Sequence, residues 1–306
     1  MDKKKNTVYI ISGPTASGKS LIAYYLAKRI DGEVINCDSI QLYKYMDIGS
    51  AKPTDKAMKE VKHHLYSIED PSVNMTVAEY RKLALETIED ILSRGKTPIV
   101  CGGTGLYLNS ILYDMDFSAA PDDEHRRQEL EDLASVRGSQ YMHEYLQGLD
   151  PAAAARIHPN NTRKIIRAIE AYENGAGIKD LSECPLNPDY DFRFFALTME
   201  REWLYDRINR RVSRLISDGL VDEVCDLLDR GYTPDLPSMK GIGYKEIIGF
   251  LNGEYDLFDA KELIMKNTRH YAKRQYTWLK RYDFVTWIEI HKGETVGEVV
   301  DRILEY

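Results

Sequence analysis

Two periodicities alternate along the chain. Short apolar runs predict strands: Val8-Tyr9-Ile10-Ile11-Ser12, Glu33-Val34-Ile35-Asn36-Cys37, Pro98-Ile99-Val100-Cys101 and Phe194-Phe195-Ala196-Leu197. Between the first three, apolar residues recur every three or four positions. Leu21–Ala27 begins a helix running to about Ile30, and Val77, Tyr80, Leu83, Ala84, Ile88, Ile91 and Leu92 mark another over Val77–Arg94. Strands that alternate with helices imply a parallel sheet, and uninterrupted apolar runs imply that both of its faces are covered.

The pattern changes after Asp114. Pro121–Asp180 is charged and helical in spacing, with a proline-initiated helix at Asp150-Pro151-Ala152-Ala153-Ala154-Ala155-Arg156, and ends in the loop Cys184–Asp189. Strand character returns at Phe192–Leu197. Helices are then predicted over Glu202–Ser217, Val221–Arg230, Gly243–Asn252 and Asp259–Arg281, followed by a strand at Phe284–Glu289 and a helix at Val296–Leu304. The expected fold is α/β: a parallel sheet flanked by helices (residues 1–114 and 191–306), interrupted by an all-helical insertion (residues 115–190).

With 306 residues, 43% of them hydrophobic, the chain can bury a full core. Its formal charge of −8 argues against broad electrostatic adhesion to nucleic acid, although a local basic groove can sit on an acidic protein. The four cysteines, Cys37, Cys101, Cys184 and Cys225, have no C-x-x-C spacing and read as reduced thiols. The apolar run after Lys3-Lys4-Lys5 is too short for a signal peptide, and no stretch approaches a membrane span. A cytoplasmic, monomeric protein is the default expectation.

Residues 13–20 read GPTASGKS between a strand and a helix. That is the pattern of a loop that cradles a diphosphate or longer phosphate chain. Its glycines turn backbone N–H groups inward, the helix start adds positive potential, Lys19 supplies a point charge, and the Ser20 hydroxyl suits Mg²⁺. Asp38 follows the second strand, where open parallel sheets place their ligands. It could be a metal ligand, a general base or simply a helix N-cap. Gly102-Gly103-Thr104-Gly105 ends the next strand with no Walker-B acid, which equips the loop poorly for motor-type NTP hydrolysis.

Two stretches hold basic residues and no acid. Residues 156–167 carry Arg156, Arg163, Lys164 and Arg167. Residues 266–281 carry Lys266, Arg269, Lys273, Arg274, Lys280 and Arg281, interleaved with Tyr271, Tyr276 and Trp278. Solvated helix faces usually mix signs, so these look like a footprint for a phosphate backbone, with the aromatics in core packing. Arg207 and Arg211 share a helix face, as an ordinary charged helix or as a diphosphate clamp. His63-His64 has no third ligand at metal-binding spacing and reads as structural.

GPTASGKS, NCDSIQLYKYMDIGSAKPT, GGTGLYLNSIL, DPAAAARIHPNNTRKIIRAIE, MKGIGYKE and TRHYAKRQYTWLKR, in this order, resemble the tRNA dimethylallyltransferase (IPP transferase) family in its bacterial form, from the first strand to about Trp278. The resemblance implies transfer of a dimethylallyl group from dimethylallyl diphosphate to N6 of the adenosine 3′ of the anticodon, with Mg²⁺ and release of diphosphate. It implies that Gly13, Pro14, Thr15, Ala16, Ser17, Gly18, Lys19 and Ser20 hold an isoprenoid diphosphate, helped by Arg207 or Arg211, although such loops are also described as ATP-binding. Asp38 would be the general base, with Thr104 and Lys19 beside it. tRNA contacts would come from Asp38, Ser39, Ile40, Gln41, Thr104, Arg126, Asn161, Thr162, Arg163, Lys164, Ile165, Arg167, Lys240, Gly241, Ile242, Gly243, Tyr244 and Lys245. The competing reading is a small-molecule or nucleoside-monophosphate kinase. It shares the loop and sheet but has no use for the helical insertion or the acid-free stretches. A non-catalytic nucleic-acid-binding protein is disfavoured by the intact Gly13, Gly18, Lys19 and Ser20.

Overall fold

The computed structural model describes residues 6–115, 123–175 and 183–306. The Lys3–Lys5 cluster and parts of the 121–180 segment lie outside them. The chain forms two compact units: residues 1–112 with 187–306, and residues 113–186.

The larger unit is built on a six-stranded, all-parallel sheet of β1 (Asn6–Ser12), β2 (Gly32–Cys37), β3 (His63–His64), β4 (Thr97–Gly102), β5 (Tyr190–Thr198) and β6 (Thr286–Glu289), in the order β3-β2-β4-β1-β5-β6. The inner strands carry apolar runs because helices cover both faces: Val8, Ile10, Ile35, Ile99 and Val100 are fully buried. Truncating one of these isoleucines to alanine would cost about 2–5 kcal/mol. On one face, α1 (Lys19–Arg29) and α12 (Val296–Leu304) bury Ile22, Leu26, Val299 and Val300 against Ile11, Ile99 and Phe195. α8 (Arg201–Ser217), α9 (Leu220–Asp229), α10 (Tyr244–Leu251) and α11 (Leu257–Leu279) share a second core around Ile208, Val212, Leu227, Ile247 and Ile264. α3 (Val77–Ser93) starts with a capping box of Thr76 and Glu79.

Register decides where the site forms. Ile11 and Asn36 both pair with Cys101, and Cys37 pairs with Gly102. β1, β2 and β4 therefore end level, and the segments leaving them at Gly13, Asp38 and Gly103 emerge side by side. Ser12 Oγ donates to Gly102 O (2.8 Å) and Thr104 N–H donates to Cys37 O (3.2 Å), which lock those ends together.

The smaller unit contains α5 (Glu124–Leu149, broken at Gly138), α6 (Pro151–Arg156) and α7 (Thr162–Glu173), packed around Leu130, Met142, Leu146, Ile165 and Ile169. Three elements escape the sequence pattern. α2 (Asp55–Glu60) buries no residue, β3 is two histidines long, and α4 (Gly105–Leu112) follows its strand too closely to show a period of its own. His63 and His64 are structural. His64 Nε2 lies 2.7 Å from Glu33, which also holds Arg94, and no group of three or more metal-ligating side chains occurs among the described residues.

Candidate active site

Gly18 carries a φ of 100°, open to glycine at little cost, and so turns the chain into α1. α1 has no side-chain cap, so its first N–H groups face the loop and can receive an anion. Ser17 Oγ is buried without a hydrogen-bond partner, an orphan group that an oxygen-rich ligand would satisfy.

Three cations converge on the loop. Lys19 Nζ donates to Pro14 O (3.0 Å), Arg207 Nε to Ala16 O (2.8 Å), and Arg211 Nη1 to Thr15 Oγ1 (3.3 Å). Both arginines therefore reach the loop. Burial, reinforced by Arg211, lowers the Lys19 ammonium to about 8, against the pull of Asp38. Burial also lowers Arg211, again opposed by Asp38. Like charges held this close are poised to gain from an arriving polyanion.

Asp38 does not cap a helix, because turns rather than a helix follow it. Its Oδ1 accepts from the Ile40 N–H (3.0 Å), closing a local turn, while Oδ2 has no hydrogen-bond partner among the described residues. Asn36 clamps the backbone here. Its Oδ1 accepts from Asp38 N–H (2.9 Å), its Nδ2 donates to Asp38 O (3.0 Å) and Leu65 O (2.9 Å), and its carbonyl accepts from Tyr80 (2.8 Å). Thr104 Oγ1 accepts from Ser39 N–H (3.1 Å), which latches the β4–α4 loop to the Asp38 segment.

α11 supplies Gln275, which the sequence pattern did not single out, and Tyr271, which it read as core packing. The Gln275 amide bonds both Thr15 and Gly103, and burial raises the pKa of the Tyr271 hydroxyl. Elsewhere in the basic stretch Arg269 donates to Asn209 (2.7 Å), Tyr276 stacks on Trp287 and Trp278 donates to Tyr282 (2.9 Å), while Lys266, Lys273, Arg274, Lys280 and Arg281 are exposed. A glutamine inside a charged helix carries no signal until its partners are known.

Several residues expected to face tRNA do not present their side chains. Tyr244 is fully buried with its hydroxyl on Glu223 (2.8 Å), and Ile165 is fully buried in the helical core. Gln41 is buried and donates to Ser50 O (2.9 Å), and Gly243 is buried behind α10. Arg126 is bound to Glu173 through two nitrogens (2.9 and 2.6 Å) and to Glu129 (2.8 Å). Asn161 caps α7 by accepting from Lys164 N–H (3.3 Å), with Thr162 half-buried behind it. Arg163, Lys164 and Arg167 are exposed and form no ion pair among the described residues. Lys240 and Lys245 are exposed, with Gly241 and Ile242 half-buried between them. The turn they flank lies against Ile40, whose Cδ1 would be 3.4 Å from a Cβ at Gly241.

A parallel sheet whose first strand runs through Gly-x-x-x-x-Gly-Lys-Ser into a helix defines an α/β protein of the P-loop type. A family model described as IPP transferase matches residues 41–282, and the chain belongs to that family. Curated relatives include the tRNA dimethylallyltransferase of Alkaliphilus oremlandii, 46% identical over 98% of this chain and 97% of its own. That of a Thermoanaerobacter species is 47% identical over 98% and 96%. The full-length tRNA isopentenylpyrophosphate transferase of Bacillus halodurans is similar in structure, with a TM-score of 0.73 and 42% identity over 98% of this chain and 96% of its own. A eukaryotic dimethylallyltransferase, described as acting on tRNA, aligns with a TM-score of 0.80 at 28% identity, over 93% of this chain and 74% of its own.

Proposed function

We infer that the protein is a tRNA dimethylallyltransferase, which moves a dimethylallyl group from dimethylallyl diphosphate to tRNA. The acceptor in this reading is N6 of the adenosine 3′ of the anticodon. One observation carries the chemistry: a cation-ringed phosphate loop lies level with a single carboxylate, Asp38, that has a free oxygen.

An adenine amine is a weak nucleophile because its lone pair is delocalised into the ring. Asp38 Oδ2 accepts its proton as the new C–N bond forms. The C–O bond to the diphosphate breaks in the same displacement, and the charge on the leaving oxygen grows. The α1 N–H groups, Lys19, Arg207 and Arg211 stabilise that charge. The adenosine reaches the site by leaving its base stack, and Thr104 with Ser39 lines the acceptor side.

The donor set fits a Mg²⁺ carried by the substrate rather than a resident ion. Ser20 is exposed at the mouth of the loop, no acidic cage is present among the described residues, and Mg²⁺ typically binds one or two protein oxygens together with phosphate oxygens and waters. Ser20 would hold it, and its chemistry would be to neutralise the diphosphate.

A kinase would be stabilised chiefly by ATP–Mg²⁺. Thermal unfolding is therefore expected to shift more with dimethylallyl diphosphate–Mg²⁺ than with ATP–Mg²⁺ at equal concentration. A larger shift with ATP would favour the kinase reading.

A further inference from the structure

The donor loop and the acceptor loop are joined by one side chain from the far end of the chain. Gln275 lies on α11, 5% exposed. Its Oε1 accepts from the Thr15 N–H at 2.7 Å, and its Nε2 donates to Gly103 O at 3.1 Å. Both halves of the amide are used, one on each loop. The fit is close: a Cβ at Gly103 would lie 2.2 Å from Gln275 Nε2. Gln275 and Trp278, three apart on one face of α11, both meet the β4–α4 loop. The Trp278 ring lies 2.3 Å from where a Cβ at Gly105 would be. The Thr15 N–H, turned toward Gln275, is thereby withdrawn from the donor site.

We propose that Gln275 is a positioning residue for prenyl transfer, fixing the spacing between the phosphate loop and the Thr104 loop. The proposal rests on the transferase reading given above. The phosphate loop holds the leaving group. The Gly103–Thr104 loop is latched to Asp38 through Ser39 and Cys37. In-line displacement needs both at one fixed distance, and a displacement of about 1 Å can cost 10²-fold in rate. Gln275 touches neither reacting group and acts through the two loops.

The test is single-turnover transfer with donor and tRNA both saturating, in wild type, Gln275→Ala, Gly103→Ala and the double variant. The rate constant is read separately from the amplitude, which reports the active fraction. The expected result is a rate constant about 10- to 100-fold lower in each single variant, with tRNA and donor affinities close to wild type. The double variant should be no slower than the slower single one, because both substitutions break one joint. Gln275→Met keeps the side-chain volume without the amide. It carries the test if Gln275→Ala does not fold, with the same slow rate expected. A wild-type rate constant with only a reduced amplitude would make Gln275 a packing residue and overturn the proposal. So would effects that multiply in the double variant. Absence of transfer by wild type itself would refute the transferase reading, and this proposal with it, before any variant is compared.

Discussion

Replacing Asp38 with asparagine removes a charge and almost nothing else. The Ile40 N–H needs an acceptor at 3.0 Å, and an asparagine Oδ1 can provide it, so the turn survives. The Asn36 clamp bonds only the Asp38 backbone and is indifferent to the change. No helix start is lost, because none begins there. What disappears is proton acceptance by Oδ2. General-base catalysis is worth roughly 10²–10⁴ in rate, or about 2.7–5.4 kcal/mol of activation free energy. Donor binding should not weaken, because Asp38 is an anion that Lys19 and Arg211 feel, and its loss leaves the phosphate loop more positive. Single-turnover kinetics at saturating donor and tRNA, across pH and Mg²⁺, would measure this. The expected outcome is a stable variant that binds both substrates and loses that factor in the chemical step. Near-normal turnover would refute the base assignment. Rescue by excess Mg²⁺ would make Asp38 a metal ligand instead.

Other consequences can be measured directly. Lys19→Ala should weaken donor binding by about 1.5–3 kcal/mol, the worth of a charge-assisted hydrogen bond, and leave tRNA affinity in filter binding unchanged; a collapse of tRNA affinity with donor binding intact would reverse the assignment. Simultaneous Arg163→Ala, Lys164→Ala and Arg167→Ala should flatten the slope of log K for tRNA against log salt by up to about 3, and an unchanged slope would reduce α7 to a solvated face. Arg94 and His64 depress the Glu33 carboxyl to about 2, so its stabilisation is complete above the ordinary carboxylate range, near 4.5, and is lost as pH falls toward 2. Urea unfolding should show an acid-side loss on the order of 2 kcal/mol that is absent in Glu33→Gln, and equal acid slopes in the two proteins would contradict it.

The sheet was largely legible because its inner strands are buried on both faces, which leaves runs such as Val8–Ile11 with no polar interruption. The phosphate loop was legible because its glycine spacing is local and sits between a strand and a helix. β3 was not, since two half-buried histidines pair with Val34 and Ile35 without any apolar run. Gln275 was illegible for a different reason: its meaning comes from partners 260 and 172 residues away. Motif position also says nothing about which way a side chain points. Tyr244 lies in a stretch matched to tRNA contact, yet its ring fills the space a Cβ at Gly49 would need and its hydroxyl binds the carboxylate that also caps Asp47, Ile48 and Gly49. The charge of Arg126 is met by glutamates three and 47 residues away, a pairing that no local pattern in the sequence shows.

The central claim is that the phosphate loop presents an isoprenoid diphosphate to a tRNA adenosine. The most direct test incubates the protein with radiolabelled dimethylallyl diphosphate, Mg²⁺ and total tRNA, then digests the RNA and separates the nucleosides. Label is expected in N6-dimethylallyl adenosine, mapping to the position 3′ of the anticodon. Unlabelled RNA, or label in any other nucleoside, would contradict it.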